Sequence, residues 1–303
     1  MYNTYNCDIN KCIGVYMILT KENTDAIYKL YPVYGGIETA RILGIDYKII
    51  KSYVGNRKIK IGEDGKNFIK NSKMLKDTNV ALPYLKIQTP RVAYICGFLW
   101  ADGSFQRVKE GGCISLEIKK DDINDIISLF TDDGWKIYNR KRYNWKEISA
   151  VKISNPVMFN IFEKMGYVSG RYDMTTAISY IPEDLRKHWI HGLFDGDGCM
   201  YVNMKNRCRQ LCISGSYNTK WNSVIEWAEQ NNIYFKETKT IYKNTNRSSA
   251  LRATGKESIC NFYNLIYDGN IEGLKRKHDK FEQIRYKNES HSDENITQNC
   301  HSK

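Results

Sequence analysis

Two short segments of this chain are nearly identical in pattern, and they constrain its fold more than any other feature. Residues 95–103 read ICGFLWADG, and residues 190–198 read IHGLFDGDG. Their last acidic residues, Asp102 and Asp197, lie 197 − 102 = 95 positions apart. The same pattern recurring at that distance predicts a duplicated module with one carboxylate in each copy.

Each segment has the spacing of a tightly packed helix. Small residues recur four positions apart in both copies: Gly97 and Ala101, then Gly192 and Gly196. Residues four apart share one face of a helix, and side chains this small let two helix backbones approach closely. We therefore expect the two helices to pack against each other and to end at Gly103 and Gly198.

This packing would bring Asp102 and Asp197 together at one end of the helix pair. A helix C-terminus is partly negative, so a carboxylate there loses about 0.3 to 1 kcal/mol. Two such carboxylates require a cation, and Mg²⁺ (or Mn²⁺), completed by water and phosphate oxygens, suits an oxygen-only site. Two alternatives are an ordinary Asp-Gly turn in each copy, which the duplication disfavours, and a calcium loop, which would need alternating ligands and a closing glutamate.

Both segments resemble the signature of the LAGLIDADG homing endonucleases, in the form in which one chain carries both copies. The resemblance covers roughly residues 90 to 285. It implies an α+β fold of two pseudo-symmetric αββαββα halves, whose antiparallel sheets form a saddle for DNA and whose signature helices form the interface. It also implies that Asp102 and Asp197, with the adjoining Gly103 and Gly198, bind the catalytic metals.

The signature is modified at three positions. Trp100 stands where the family usually has its first aspartate, and Cys96 and His191 replace a small residue. The family's catalytic acid is the last one of the motif, so these departures bear on packing more than on chemistry.

The resemblance further implies basic side chains beside the catalytic centre. A cation there would stabilise the negative charge that grows on the phosphate in the transition state. Arg171 closes the first half, and Lys275 and Lys277 lie in the basic segment that closes the second. Lys120, after the second strand of the first half, is a further candidate for positioning water. A solvated basic loop is the alternative for each.

Between and after the signatures, the order strand, strand, helix recurs. The first half predicts strands at 104–108, 113–119, 135–142 and 147–153, and helices at 122–130 and 156–165, the second capped by Asn155. The second half predicts strands at 199–205, 209–214, 234–242 and 248–253, and helices at 219–230 and 257–267. Basic residues expected on the outward sheet faces are candidate DNA contacts: Arg140, Arg142, Lys152, Lys205, Lys239 and Arg252.

The N-terminal region predicts a helix-turn-helix module, an all-α addition to the two halves. A short helix is expected at 24–31, and Ala40, Gly44 and Ile50 have the spacing of two helices that cross at a turn. Residues of the second helix would face DNA: Tyr47, Lys48 and Lys51. An ordinary helical hairpin shares this spacing.

The predicted organisation has five parts. The helix-turn-helix module occupies 1–60, a linker with one short helix 61–89, the two halves 90–180 and 181–287, and a disordered tail 288–303.

Composition agrees with a nucleic-acid partner. A formal charge of +12 and a pI near 9.1 attract polyanions. Nine cysteines without a Cys-x-x-Cys pair predict reduced thiols and a cytoplasmic location; zinc binding by Cys7 and Cys12, or by Cys208 and Cys212, is the alternative. The sequence has no stretch of about eighteen apolar residues, which is the length that would predict a membrane span.

The sequence as a whole predicts a monomeric, magnesium-dependent endonuclease that cuts double-stranded DNA at a long, nearly palindromic site. Met1 and the lack of a terminal splicing signature favour a freestanding or intron-encoded enzyme, and abundant Lys, Ile, Asn and Tyr favour an AT-rich source such as a phage or mobile element. The alternative is a catalytically silent DNA-binding regulator or intron RNA maturase on the same fold. Both acidic positions are intact, which favours the nuclease.

Overall fold

In a computed structural model of the chain, the described residues are 19–108, 111–131, 134–140, 147–168, 170–203, 208–242, 246–268 and 271–282. They belong to two compact units, Met1–Lys76 and Asp77–Lys303. Both signature segments and all of the described strands lie in the second unit. The predicted tail, 288–303, lies outside the described residues.

The N-terminal unit is helical. Its elements are α1 (Lys21–Leu43), α2 (Tyr47–Asn56) and α3 (Glu63–Leu85), the last of which continues into the second unit. Helix α1 is kinked at Gly35, which has a positive φ of 73°, and it ends at Gly44, which is left-handed with φ 64°. Asp46 then caps α2 by accepting a hydrogen bond from the Lys48 N–H at 2.7 Å.

A small apolar core holds α1 and α2 together, and Ala40, Ile45 and Ile50 are buried in it. The pair of helices that the sequence predicts around Gly44 is therefore present. The short helix expected at 24–31 is part of the longer, kinked α1.

The segment 61–89 differs from the prediction. It holds the 23-residue helix α3 instead of a linker with one short helix. The polar composition and weak periodicity of this segment led to a wrong prediction. Most of α3 is exposed, and a helix that buries few residues shows little of the apolar periodicity by which a helix is predicted.

The second unit contains the two halves. The first half comprises α4 (Pro90–Asp102), β1 (Gly103–Val108), β2 (Gly111–Lys119), α5 (Lys120–Ile126), β3 (Lys136–Arg140), β4 (Ile148–Ser154) and α6 (Pro156–Lys164). A connecting helix, α7 (Met174–Ser179), leads to the second half. That half comprises α8 (Arg186–Asp197), β5 (Gly198–Asn203), β6 (Cys208–Ser216), α9 (Asn222–Gln230), β7 (Lys236–Tyr242), β8 (Asn246–Ala253) and α10 (Lys256–Ile266).

The two halves have the same sheet topology. The strand orders are β1-β2-β4-β3 and β5-β6-β8-β7, and every pairing is antiparallel. One face of each sheet supplies the core, through residues such as Leu116, Val151, Leu211 and Leu251. The predicted α+β fold of two αββαββα halves is confirmed by this order.

Small differences occur at helix boundaries. The helix predicted at 122–130 is α5 followed by a 3-10 turn at Ile127–Phe130, and the helix predicted from 219 begins at Asn222. Helix α7 was not predicted, because six residues are too few to display a helical period. None of the described helices is long and apolar enough to cross a bilayer.

Candidate catalytic centre and nucleic-acid interface

The two signature helices, α4 and α8, pack backbone against backbone. A Cβ atom on Gly97 would overlap the carbonyl oxygen of Trp189, and one on Gly192 would overlap that of Tyr94. A Cβ on Gly196 would overlap Ala101. The small residues at four-residue spacing are therefore required by this close approach.

Gly103 and Gly198 end the two helices as predicted, but for steric reasons. Their φ angles, −67° and −88°, are open to any residue. A side chain on Gly103 would overlap the carbonyl of Leu99, and one on Gly198 would overlap Phe194. At both positions the chain turns directly from helix into strand, and it can do so only because glycine has no Cβ atom.

The helix pair brings Asp102 and Asp197 to the same end. A Cβ on Gly196 would lie 3.5 Å from Asp102 Oδ2, so the Asp102 carboxylate sits beside the residue that precedes Asp197. Burial, and then repulsion from Asp102, raise the pKa of Asp197 to about 6. Partial desolvation also raises the pKa of Asp102, although Lys277 and Arg171 oppose that change. The two carboxylates thus lie close together at one end of the helix pair, Asp197 partly buried and Asp102 more exposed.

A cation lies at each helix end, Arg171 partly buried and Lys277 buried. Arg171 Nη1 donates to the carbonyls of Leu99 and Trp100, at 2.9 and 2.7 Å, at the C-terminus of α4. Lys277 Nζ donates at 2.6 to 2.7 Å to three carbonyls at the end of α8: Phe194, Asp195 and Gly198. Each cation offsets the negative end of one helix. Burial lowers the pKa of Lys277 to about 8, and that of Arg171 below its usual value.

The donor set fits a hard divalent cation. Two close carboxylates with raised pKa values hold negative charge that a bound cation would relieve, and carboxylate oxygen is the ligand that Mg²⁺ and Mn²⁺ take from proteins. Within the described part of the chain, no cluster of three or more His, Cys, Asp and Glu side chains could hold a metal. Water and phosphate oxygens would therefore complete the coordination.

Lys120 and Lys275 lie elsewhere than the helix end. Both line a cleft of about 770 Å³ that also contains Asp121, Asp122 and Glu147. Lys120 is ion-paired with Glu147, and this contact raises the pKa of Lys120. Lys120 and Lys275 thus lie together in this cleft, whereas Arg171 and Lys277 lie at the helix ends that carry the two carboxylates.

Sequence reasoning missed Asp195, which is almost fully buried, at 1% exposure. Its Oδ2 accepts hydrogen bonds from the Tyr94 hydroxyl at 2.7 Å and from the Leu274 N–H at 2.8 Å. Burial raises the pKa of Asp195 to about 6 and lowers that of neighbouring His191 to about 3, so the imidazole is neutral at pH 7. An acid four residues from a histidine, on an otherwise apolar helix face, was the available signal.

Basic residues also lie on the outward faces of the sheets. In the first sheet Lys152 is paired in register with Lys136 and Ser115, and in the second Arg252 is paired with Lys236 and Cys212. Directly opposite residues in a sheet share a face. Each sheet therefore carries a row of two adjacent cations at an equivalent position.

Arg252 is held in place by its neighbours. Its Nε donates to Thr238 Oγ1 at 3.0 Å, and its Nη1 donates to Gln210 Oε1 at 2.5 Å. A fixed guanidinium is already oriented for a ligand, which reduces the entropy lost on binding.

Lys239 is not on the outward face that the sequence predicted for it. It pairs with Ser249, one residue out of phase with Arg252, and therefore lies on the helix-bearing face. Successive residues of a strand point to opposite faces, so a predicted face depends on a register that the sequence did not fix. Arg140 is paired with Ile148 in the register of β3 and β4. Arg142 and Lys205 lie outside the described residues.

The predicted DNA-facing residues of α2 are accessible. Lys48 and Lys51 are exposed, and Tyr47 is 44% exposed with its ring against Gly36. Tyr47 and Lys51 also line a cleft of about 490 Å³, whose wall includes Phe68 of α3.

No protein-family model matches the chain. Among curated proteins, the reverse gyrase of Methanocaldococcus jannaschii is 25% identical over 202 residues. The match covers 64% of this chain and 12% of that protein, so the chain spans about an eighth of the relative's length.

Solved homing endonuclease structures are similar to the chain. I-DmoI in complex with DNA and Ca has a TM-score of 0.44 and 14% identity, over 64% of this chain and 97% of that one. I-WcaI bound to its DNA recognition sequence has a TM-score of 0.45 and 17% identity, over 66% of this chain and 91% of that one. The LAGLIDADG homing endonuclease I-GzeII in complex with its DNA target has a TM-score of 0.45 and 12% identity, over 67% of this chain and 92% of that one. These structures come from the family that the two signature segments resemble.

Proposed function

We propose that this chain is a site-specific, divalent-metal-dependent DNA endonuclease that cuts both strands at its target. The observation that carries the proposal is the end of the helix pair. There, the carboxylates of Asp102 and Asp197 lie close together, with the partly buried cation Arg171 and the buried cation Lys277 at the two helix ends. Carboxylates for metal, together with cations for a phosphate, are what phosphodiester hydrolysis requires.

Asp102 and Asp197 would hold the metal. A bound divalent cation polarises the phosphate and makes attacking hydroxide available near neutral pH. The Gly198 carbonyl, which the sequence suggested as a further ligand, already accepts a hydrogen bond from Lys277 Nζ.

The remaining chemistry belongs to the chain's own side chains. With its pKa near 8, Lys277 stays protonated at pH 7 and holds a positive charge beside Asp197, where negative charge would grow on the phosphate. Arg171 holds the equivalent charge at the other helix end. Both are fixed on helix carbonyls, so little reorganisation accompanies the reaction.

The outward sheet faces would bind the duplex. Lys136 with Lys152, and Lys236 with Arg252, provide two equivalent basic rows, one for each half of a target. The halves differ in sequence, which suits a site that is nearly but not fully palindromic. In the N-terminal unit, exposed Lys48 and Lys51 would add contacts from α2. We infer that one chain suffices, because it supplies both carboxylates.

The test begins with finding a substrate. The purified chain is incubated with DNA of its own locus from which the gene for this chain is absent, and in parallel with a randomised duplex library. Each incubation is run with Mg²⁺, with Mn²⁺ and with EDTA. Discrete double-strand breaks that need metal, and that Asp102→Asn or Asp197→Asn abolishes, are expected. Specific binding without nicking, unchanged by either substitution, would favour the silent regulator instead.

A further inference from the structure

Four consecutive residues near the end of the second half are anchored on two helices, α5 of the first half and α8 of the second. The Leu274 N–H donates to Asp195 Oδ2 at 2.8 Å, and the Lys275 N–H donates to Asp125 Oδ2 at 3.0 Å. Arg276 Nε contacts both oxygens of Asp122, at 2.8 and 3.0 Å. Lys277 Nζ sits on the α8 carbonyls described above. The position of Lys277 is therefore tied to three carboxylates.

These carboxylates come from both halves. Asp195 lies on α8, whereas Asp122 and Asp125 lie on α5 of the first half. The chain becomes helical at residue 275 and stays so through 282. The first N–H groups of a helix have no partner within it and carry partial positive charge, so carboxylates are well suited to accept from them. Asp195 and Asp125 thus cap one helix start from opposite halves.

The equivalent junction of the first half is built differently. There the segment after Arg171 also meets the other half, since the Lys220 N–H donates to the Tyr172 carbonyl at 2.6 Å and Lys220 Nζ contacts Asp173 at 3.0 Å. The position that matches Asp195 is Trp100, which packs on Trp189. No carboxylate of α9 takes the part of Asp125 among the described contacts at that junction. Among the described contacts, capping by two carboxylates from opposite halves is therefore seen at the helix that carries Lys277, and the segment after Arg171 is held differently.

We propose that Asp195 and Asp125 are positioning residues for Lys277. By fixing the start of the terminal helix from both halves, they hold the Lys277 ammonium on the end of α8 beside Asp197. Lysine has a long, flexible stem, and ordering it in one place loses side-chain entropy. A helix start that is not held in place frays, and Lys277 lies within its first turn. The catalytic consequence rests on the proposed endonuclease function, whereas the structural consequence does not.

The first experiment measures the position of Lys277 without any DNA. Metal-free protein is treated briefly with an acetylating reagent, and modification of Lys277 is followed by mass spectrometry, with hydrogen exchange of residues 271–282 in parallel. Asp125→Ala is expected to raise both rates at least about fivefold, and Asp125→Asn less, because its amide oxygen can still accept from the Lys275 N–H. Asp121→Ala is the matched control, since it removes an equal charge from an exposed neighbour on the same helix.

The second experiment measures strand-specific nicking on a target end-labelled on each strand. Asp125→Ala is expected to lower the turnover of one strand by about tenfold or more, with the KM for DNA and the rate on the other strand within about twofold of the wild type. A residue needed only for folding would lower both strands together. Asp195→Asn is expected to show a smaller bias towards the same strand, because its amide oxygen can still accept from the Leu274 N–H.

The outcomes separate the two proposals. If Lys277 labelling in Asp125→Ala equals that in Asp121→Ala, the cap does not position Lys277, whether or not the chain cuts DNA. If labelling rises but both strands are cut as before, the catalytic part of the inference is wrong. If the wild type cuts no DNA with any metal, the endonuclease proposal fails, and the labelling result still decides the structural part.

Discussion

Replacing Asp197 by asparagine should stabilise the metal-free protein near neutral pH. Asp197 is the carboxylate whose pKa rises from 3.8 to about 6, chiefly through burial and then through repulsion from Asp102. Since its pKa in the folded state lies above that in the unfolded chain, the folded state favours the protonated acid. The penalty is absent below about pH 4, grows as the pH rises towards 6, and is complete above it.

The size of this effect follows from the same pKa values. The difference of about 2, between 3.8 and about 6, corresponds to at most about 3 kcal/mol. Asp197 remains partly accessible, so screening by water reduces the expected gain to the order of 1 to 2 kcal/mol. The substituted side chain would have nearly the shape of the aspartate without its charge, so little of this gain should be lost to repacking.

The assay can be confined to the unit that contains the site. All six tryptophans lie at position 100 or later, so tryptophan fluorescence during urea unfolding reports on the second unit alone. In EDTA, Asp197→Asn should unfold at higher urea than the wild type at pH 7.5 and at the same urea at pH 4. Asp173→Asn is the control, since its carboxylate is paired with Lys220 and has a lowered pKa. Equal midpoints for Asp197→Asn and wild type at pH 7.5, or a gain that persists at pH 4, would refute the reasoning.

Three further outcomes are expected. Gly192→Ala should destabilise the second unit by about 1 to 3 kcal/mol or more, because its Cβ would overlap the Tyr94 carbonyl; Gly255→Ala, with nothing closer than 3.8 Å, should have little effect in the same urea assay. Gly44→Ala places a side chain at φ 64° and should cost about 1 kcal/mol, seen as faster hydrogen exchange across residues 21–56, where unchanged exchange would contradict it. Calorimetry should show Mg²⁺ binding that tightens from pH 5 to 7 as Asp197, with its pKa of about 6, ionises, and an affinity independent of pH would argue against Asp197 as a ligand.

Much of the fold was available from local pattern. The duplicated segments predicted the helix pair, because small residues four apart are needed wherever two backbones touch, and they are read from sequence alone. Alternating residues such as Ile114, Leu116 and Ile118 predicted the strands, since a half-buried strand shows its period directly. Helix α3 was not predicted at its full length for the opposite reason: it buries too little apolar surface to show a helical period.

The candidate site divides in the same way. Asp102, Asp197 and the basic segments around Arg171 and Lys277 were identified from the sequence, because chemistry restricts which residue types can serve there. Which cation reaches the helix end, and which lies in a separate cleft, was decided by tertiary structure: Lys277 and Lys275 are two residues apart but point to different surroundings. The contact of Asp125 with the Lys275 N–H could not be predicted either, since the two residues are 150 positions apart in the chain. A sequence shows what each segment prefers, but contacts between distant segments exist only once the whole core has packed.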